Sequence, residues 1–279
     1  MKVGFIGAGR VGCSLGKYFT MHEIPVSGYF SKNPKSAAFA AEFTQTNGYK
    51  NIEELIRDSD MIFLSVPDGV IQSVWEQIKE FPLQQKIICH CSGCYSAAVF
   101  SGIDHKDAYG YSIHPLFAVS DKEMSYKEFS KVIFTIEGSP VKMEDVTALL
   151  NKCGNKFMRI TAENKTLYHA AATAASNLMV GLVAICCDML NDCGFSEHEA
   201  LEALSPILRG NLEHILKDGP QASLTGPVER NDIATVKKHL NVLNGRDREI
   251  YRLLSERITE IAKNKNKDKD YEKMEELLK

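Results

Sequence analysis

What this sequence has little of already narrows its possibilities. Its 279 residues include one tryptophan and nine prolines, with no Pro-, Ser- or Gly-rich tract that would read as a flexible linker. No charge sign dominates: 33 Lys and Arg against 36 Asp and Glu leave a formal charge of −3, so neither nucleic acid nor an anionic membrane surface is expected as a partner. The Lys-rich stretch 263–269 is interrupted by Asn and Asp and reads as solvated surface. The apolar segment at the start is broken by glycines, which makes it a strand rather than a secretory leader and points to the cytoplasm. The most apolar later stretch, 170–187, contains Ser176 and Asn177 and reads as a buried helix, not a membrane span. Eight cysteines without an export signal read as reduced thiols. Cys89-His90-Cys91-x-x-Cys94 has the spacing of a zinc half-site, but Cys186 and Cys187 are adjacent and supply no second pair, so no metal is expected.

What is present begins almost at the first residue. The apolar run Val3, Phe5, Ile6 leads into Gly7-Ala8-Gly9-Arg10-Val11-Gly12, and a helical pattern (Val11, Leu15, Tyr18, Phe19) follows. Each glycine has its own task in a dinucleotide fingerprint: Gly7 for the tight turn, Gly9 for close approach of a pyrophosphate, Gly12 for packing of the helix on the sheet. The backbone N–H groups of Ala8 to Gly12 and the positive end of the helix dipole would receive the phosphates.

Downstream, apolar strand candidates (Pro25–Phe30, Met61–Val66, Lys86–Cys91, Ala108–Ser112, Val132–Ile136, Lys156–Ile160) alternate with helical patterns. Continuous apolar runs such as MIFLSV imply a parallel sheet covered on both faces, hence a doubly wound α/β domain. From Ala162 on, long helical patterns dominate. The expected organisation is an N-terminal Rossmann domain, residues 1–160, followed by an all-α domain, residues 161–279, the latter apolar enough to suggest a homodimer.

The end of the second strand selects the nucleotide. NAD sites usually carry an acid there for the ribose 2′-hydroxyl. Here the residues are Ser31-Lys32-Asn33, a hydroxyl, a cation and an amide suited to the 2′-phosphate of NADP(H). Val66-Pro67 and Ser92-Gly93 follow two further strands and are expected to flank the ribose and nicotinamide.

Lys165, His169, Thr173 and Asn177 recur every four residues, which sets them on one face of an otherwise apolar helix. Polar groups so placed need partners, and a polar substrate would supply them. Arg230, beside the turn Gly226-Pro227, could take a carboxylate bidentately; pairing with Glu229 or Asp232 is the alternative. His114, read as a loop residue after the strand AYGYS, is a third candidate for substrate binding.

These segments together resemble a known group of Rossmann proteins. The GxGxxG, LSVPD, HCSG, SIHP, YHAAATAASN and LTGPVERND…T…HL segments are similar to those of NADP-binding proteins with a helical C-terminal domain of formerly unknown function, within the 6-phosphogluconate dehydrogenase-like superfamily. Some members are similar to an alternative ketopantoate reductase of pantothenate synthesis. The resemblance implies an NADPH-dependent reductase of a small 2-oxo acid. Standard ketopantoate reductases carry Lys-x3-Asn-x3-Asn on the corresponding helix. Aligning the last Asn with Asn177 puts Thr173 in the middle and His169 at the proton-donating lysine, with Lys165 the competing donor. The late Ser and Glu of those enzymes have no counterpart, which leaves open an imine or β-hydroxy-acid substrate, or a non-catalytic NADP-binding sensor.

Overall fold

The computed structural model describes residues 1–279. The chain forms β1 (Val3–Ile6), α1 (Arg10–Met21), β2 (Val26–Phe30), α2 (Pro34–Thr44), β3 (Asn47–Gly48), α3 (Ile52–Arg57), β4 (Met61–Leu64), α4 (Asp68–Ile78), β5 (Ile87–His90), β6 (Tyr109–Pro115), β7 (Phe134–Gly138), α5 (Met143–Lys152) and β8 (Phe157–Arg159). Helices follow: α6 (Lys165–Thr173), a π-helical turn (Ala174–Leu178), α7 (Met179–Asp192), α8 (Glu197–Ser223), α9 (Ile233–Val242), α10 (Gly245–Lys265) and α11 (Glu272–Leu278). Two compact units emerge, Met1–Asn177 and Leu178–Lys279. The division falls at the end of the π turn, inside the long helical run, whereas residue 160 precedes that run.

In the first unit the strand order is β3-β2-β1-β4-β5-β6-β7-β8. The chain winds outward from β1 to β3, then crosses to β4, which makes the β1/β4 crevice the topological switch point where α/β sheets bind ligands. Alternate residues of β1 point to opposite faces. Val3 and Phe5 join Leu15, Phe19, Tyr29 and Phe63 on one side; Ile6 joins Leu64, Ile71 and Trp75 on the other. Both faces are therefore covered, as the apolar strand runs require. The sheet is not wholly parallel, however: β6 and β7 are antiparallel, with His114 opposite Thr135. That pairing prolongs β6 through Pro115, so His114 stands within a strand and not on a loop. A run as short as SIHP gives no periodicity that would reveal this.

The second unit has its own core, where Val236 and Leu240 of α9 meet Ala262, Met274 and Leu278 from α10 and α11. Local signals set its helix ends. Gly194 takes φ 98° after α7, Ser196 and Glu199 form a reciprocal capping box on α8, and the Asp232 carboxylate accepts from Thr235 N at 3.0 Å at the start of α9. The Lys-rich stretch is mostly exposed, as expected, yet two of its lysines also make contacts. Lys263 pairs with Glu275, and Lys265 Nζ donates to Leu224 O at 2.7 Å, so these cations hold α11 and the end of α8 in place.

The apolar stretch 170–187 is a helix, but its own chain does not bury it: Leu178 and Val180 are 64% and 71% exposed. The run Ala162–Asp192 is long and apolar enough, by length and composition, to cross a membrane. Helical periodicity reports that a face is apolar, and says nothing of which molecule covers it.

The ring of Phe5 stacks between Tyr29 (5.1 Å) and Phe63 (5.5 Å) with no exposed area. Phe5→Ala should therefore destabilise the protein by about 3–5 kcal/mol, read as a lowered midpoint in urea denaturation.

Candidate active site

The first cavity, of about 800 Å³, opens over the carboxyl ends of β1, β2 and β4. It is lined by Gly7, Ala8, Gly9, Ser31, Lys32, Val66 and Pro67, so most of the expected nucleotide residues converge there, joined by Asn33, Ser36, Ser65 and Lys122. No acidic residue lines it. Arg10, Val11 and Gly12 form the first turn of α1, which also carries no acid; the amides of such a turn lack intrahelical acceptors. Asn33 caps α2, its Oδ1 accepting from Lys35 N at 3.0 Å.

The three glycines separate by what surrounds them. Gly7 has φ 107°, and a Cβ there would lie 2.5 Å from Ser65 O; one at Gly12 would lie 2.4 Å from Ser65 Oγ. The protein itself demands both. Gly9 is different: it has ordinary extended backbone (φ −80°, ψ −168°), and a Cβ would meet no protein atom nearer than 3.9 Å. Its missing side chain serves space in the cavity, as a cradle for a pyrophosphate requires.

The second cavity, of about 680 Å³, is lined by His114, His169, Thr173 and Asn177 together with Tyr168, Ser176 and the loop 116–120. Its Asn177 end depends on the π turn. One extra residue per turn lets neighbouring Ser176 and Asn177 both face the cavity, where Ser176 Oγ lies 3.1 Å from Asn177 Oδ1 and also donates to Ala172 O at 2.8 Å. The regular four-residue stripe thus ends at Thr173. Tyr168 escaped the sequence reading because it lies one residue off that stripe, yet its hydroxyl meets His114 Nδ1 at 2.7 Å. The His114 and His169 rings stand edge to face, 6.5 Å apart.

Ser92 and Gly93 do not line either cavity. Ser92 is buried, its Oγ donating to the Asp68 carboxylate at 2.6 Å and accepting from Cys94 N and Tyr95 N. Gly93 lets both imidazoles close on the end of β5, since a Cβ there would stand 2.6 Å from His169 Cδ2 and 3.0 Å from His114 Nε2. These residues build the site's floor.

Lys165 also lies beneath the cavity, not on its wall. As the first residue of α6 it points back toward the sheet, where Nζ donates to Ser92 O (2.8 Å) and Ser112 Oγ (2.6 Å), and it is 1% exposed. Burial lowers its pKa to about 8, against the opposing pull of Glu137. His90 is fully buried, with Nδ1 accepting from Ser92 N and Nε2 donating to Ser96 O; the neutral ring uses both nitrogens on backbone. No group of three or more His, Cys, Asp or Glu side chains is arranged to hold a metal ion. Arg230, in the second unit, is exposed and enters no ion pair, while its neighbours Glu229 and Asp232 are engaged by Asn266 and Thr235.

Two family models cover most of the sequence: a Rossmann-like domain matches residues 1–115, and the domain of unknown function DUF2520 matches residues 132–258. The chain carries a Rossmann-like domain followed by a DUF2520 domain. No curated protein matches the sequence. Among solved structures, protein TM1727 of Thermotoga maritima is 24% identical, with 95% of this chain and 99% of that one covered and a TM-score of 0.75. BF3122 of Bacteroides fragilis is 20% identical over 93% and 98% of the two chains, TM-score 0.72. A reductive aminase of Aspergillus terreus, solved with NADPH and ethyl-5-oxohexanoate, is 13% identical over 93% of each chain, TM-score 0.67. At these identities the likeness establishes the shared fold. The DUF2520 match begins before β7, so this domain supplies the sheet's last strands as well as the helix that carries His169.

Burial, with the nearby charge of Lys165, pushes the His114 pKa down to about 4. The folded state then binds a proton less readily than the unfolded chain, so stability should fall as pH drops from about 6.5 toward 4. The His114 imidazole resonances should titrate near pH 4, and His114→Gln should lessen the slope in that range, the remainder coming from His90, whose pKa burial also lowers to about 4.

Proposed function

We propose that the protein is an NADPH-dependent reductase of a small 2-oxo acid, with 2-dehydropantoate the leading candidate. The observation that carries this reading is the convergence of His114, Tyr168, His169, Thr173, Ser176 and Asn177 on one cavity, in the same unit as a Gly-rich, acid-free crevice. The nucleotide assignment rests on Gly9, Ser31 and Lys32, and accords with the NADPH found in the reductive aminase of like fold. When bound, NADPH supplies the hydride.

The chain's own residues orient the carbonyl and provide the proton. His169 lines the cavity and is assigned as proton donor, since imidazole is the side chain suited to giving up a proton near neutral pH. Lys165 is assigned a positioning role: its ammonium is spent on Ser92 O and Ser112 Oγ, beneath the ring. Thr173 and Asn177 are assigned to the substrate's hydroxyl and carbonyl oxygens. Tyr168 can donate to His114 Nδ1 and so leave His114 Nε2–H free as a second donor. Arg230 lines neither cavity, and is proposed as a carboxylate partner on its exposed, unpaired guanidinium alone.

A C=N electrophile is the second reading, favoured by the imine reductase of Pseudomonas sp. and the reductive aminase among the structures of like fold. Loss of NADPH absorbance with oxo acids and cyclic imines, and its gain when β-hydroxy acids are supplied with NADP+, separates the two. Turnover of 2-dehydropantoate, reduced about 100-fold in His169→Ala as for other general acids, is the expected result. Turnover of imines alone would replace the substrate assignment, and tight nucleotide binding without turnover would mark a sensor.

We assign the exposed apolar helices to a homodimer in the cytoplasm, where all eight cysteines can remain free thiols. Contiguous apolar faces of this kind are uncommon on soluble monomers, and α8 adds exposed Ile207, Leu212 and Leu216 to those of α7. Analytical ultracentrifugation should show a dimer that Val180→Asp dissociates; a wild-type monomer that co-sediments with lipid vesicles would contradict this.

A further inference from the structure

The loop after β6 serves both cavities. Leu116 to Ser120 wall the histidine-lined cavity, while Lys122, two residues on, lines the Gly-rich one. The loop is tied to α1 by Ser14 Oγ, which donates to Asp121 O at 3.4 Å, and is folded on itself by the Asp121 carboxylate, which accepts from Glu123 N (2.7 Å) and Met124 N (2.9 Å). Lys122 Nζ stands 5.6 Å from the centre of the Phe39 ring on α2. Its charge is also felt at Cys13 in α1, where it opposes the rise that burial imposes on the thiol. The ammonium therefore sits between α1 and α2, on the side of the cavity where Ser36 continues the Ser31-Lys32-Asn33 segment.

Lys122 enters no ion pair with any carboxylate of the chain, and the cavity it lines contains a second lysine, Lys32, and no acid. Two unneutralised ammonium groups around one cavity call for an anion of more than one charge. The pyrophosphate already has the amides of the α1 turn. The group left to be matched near α2 is a phosphate monoester, with about two negative charges at neutral pH.

We propose that Lys122 binds the 2′-phosphate of NADP(H) jointly with Lys32, and thereby ties the loop 116–124 to the bound nucleotide. The proposal rests on the NADP(H) reading of the first cavity. It makes the wall of the histidine-lined cavity depend on which nucleotide is present, with NADP(H) ordering it and NAD(H) leaving it unanchored.

Calorimetric titration of NADP+, NAD+ and 2′,5′-ADP into wild type and Lys122→Met tests this, since Met retains an apolar stem against Phe39. Loss of one charge-assisted phosphate contact should weaken NADP+ and 2′,5′-ADP about tenfold in Lys122→Met, with NAD+ little changed. NADP+ should also slow amide exchange across 116–124 in wild type and fail to do so in the variant, whose melting curve without ligand should match wild type. Unchanged NADP+ affinity, or an equal loss for NADP+ and NAD+, would overturn the assignment to the 2′-phosphate. Wild type that binds neither nucleotide would instead overturn the cofactor reading on which the proposal stands.

Discussion

The close approach of α1 to the end of β4 is the constraint on which the first unit depends. Ser65 Oγ donates to Gly7 O at 2.9 Å, in the space a Cβ at Gly12 would occupy. This contact locks the start of α1 over the β1/β4 switch point and leaves its amides facing an open crevice. Burial of the sheet on both faces does the rest. Because most strand side chains are consumed by the two apolar clusters, the polar groups of the first cavity gather at strand ends and on the loops beyond them, while those of the second come mainly from α6 and the π turn.

The second cavity shows how a buried polar layer supports an exposed one. Asp68, Ser92, Ser112 and Lys165 form a hydrogen-bonded chain under the ends of β5 and β6, and Gly93 opens the gap through which His114 and His169 close on it. An unpartnered ammonium in such a place would be strongly destabilising; two oxygen acceptors make it tolerable and fix the helix that carries His169. The π turn then widens that helix where Ser176 and Asn177 are needed side by side.

Much of the fold was legible in the residues because its signals are local. The apolar runs, the GxGxxG turn, the capping box at Ser196 and the stop at Gly194 each act within a few positions. The parts that escaped depend on distant partners. The antiparallel join of β6 to β7 put His114 in a strand, and the four-residue stripe on α6 could not reveal that Lys165 dives beneath the cavity while His169 lines its wall. Tyr168 opens the YHAAATAASN segment but lies off its four-residue stripe, and Lys122 belongs to no motif; only the folded chain brings them to the cavities. The apolar helix 170–187 was legible as apolar, but the partner that covers it is not written in its own periodicity.

The central claim is that the Gly-rich crevice exists to hold a dinucleotide, and Gly9 offers the most direct test of it. A Cβ at this residue fits the protein and its backbone dihedrals but fills the cradle. Isothermal titration of NADP+ into wild type and Gly9→Ala, each with its melting curve, makes the comparison. The account predicts that both proteins fold and melt alike while the variant loses at least about tenfold in affinity, the equivalent of roughly 1.4 kcal/mol. Equal NADP+ affinity in the two proteins would contradict it.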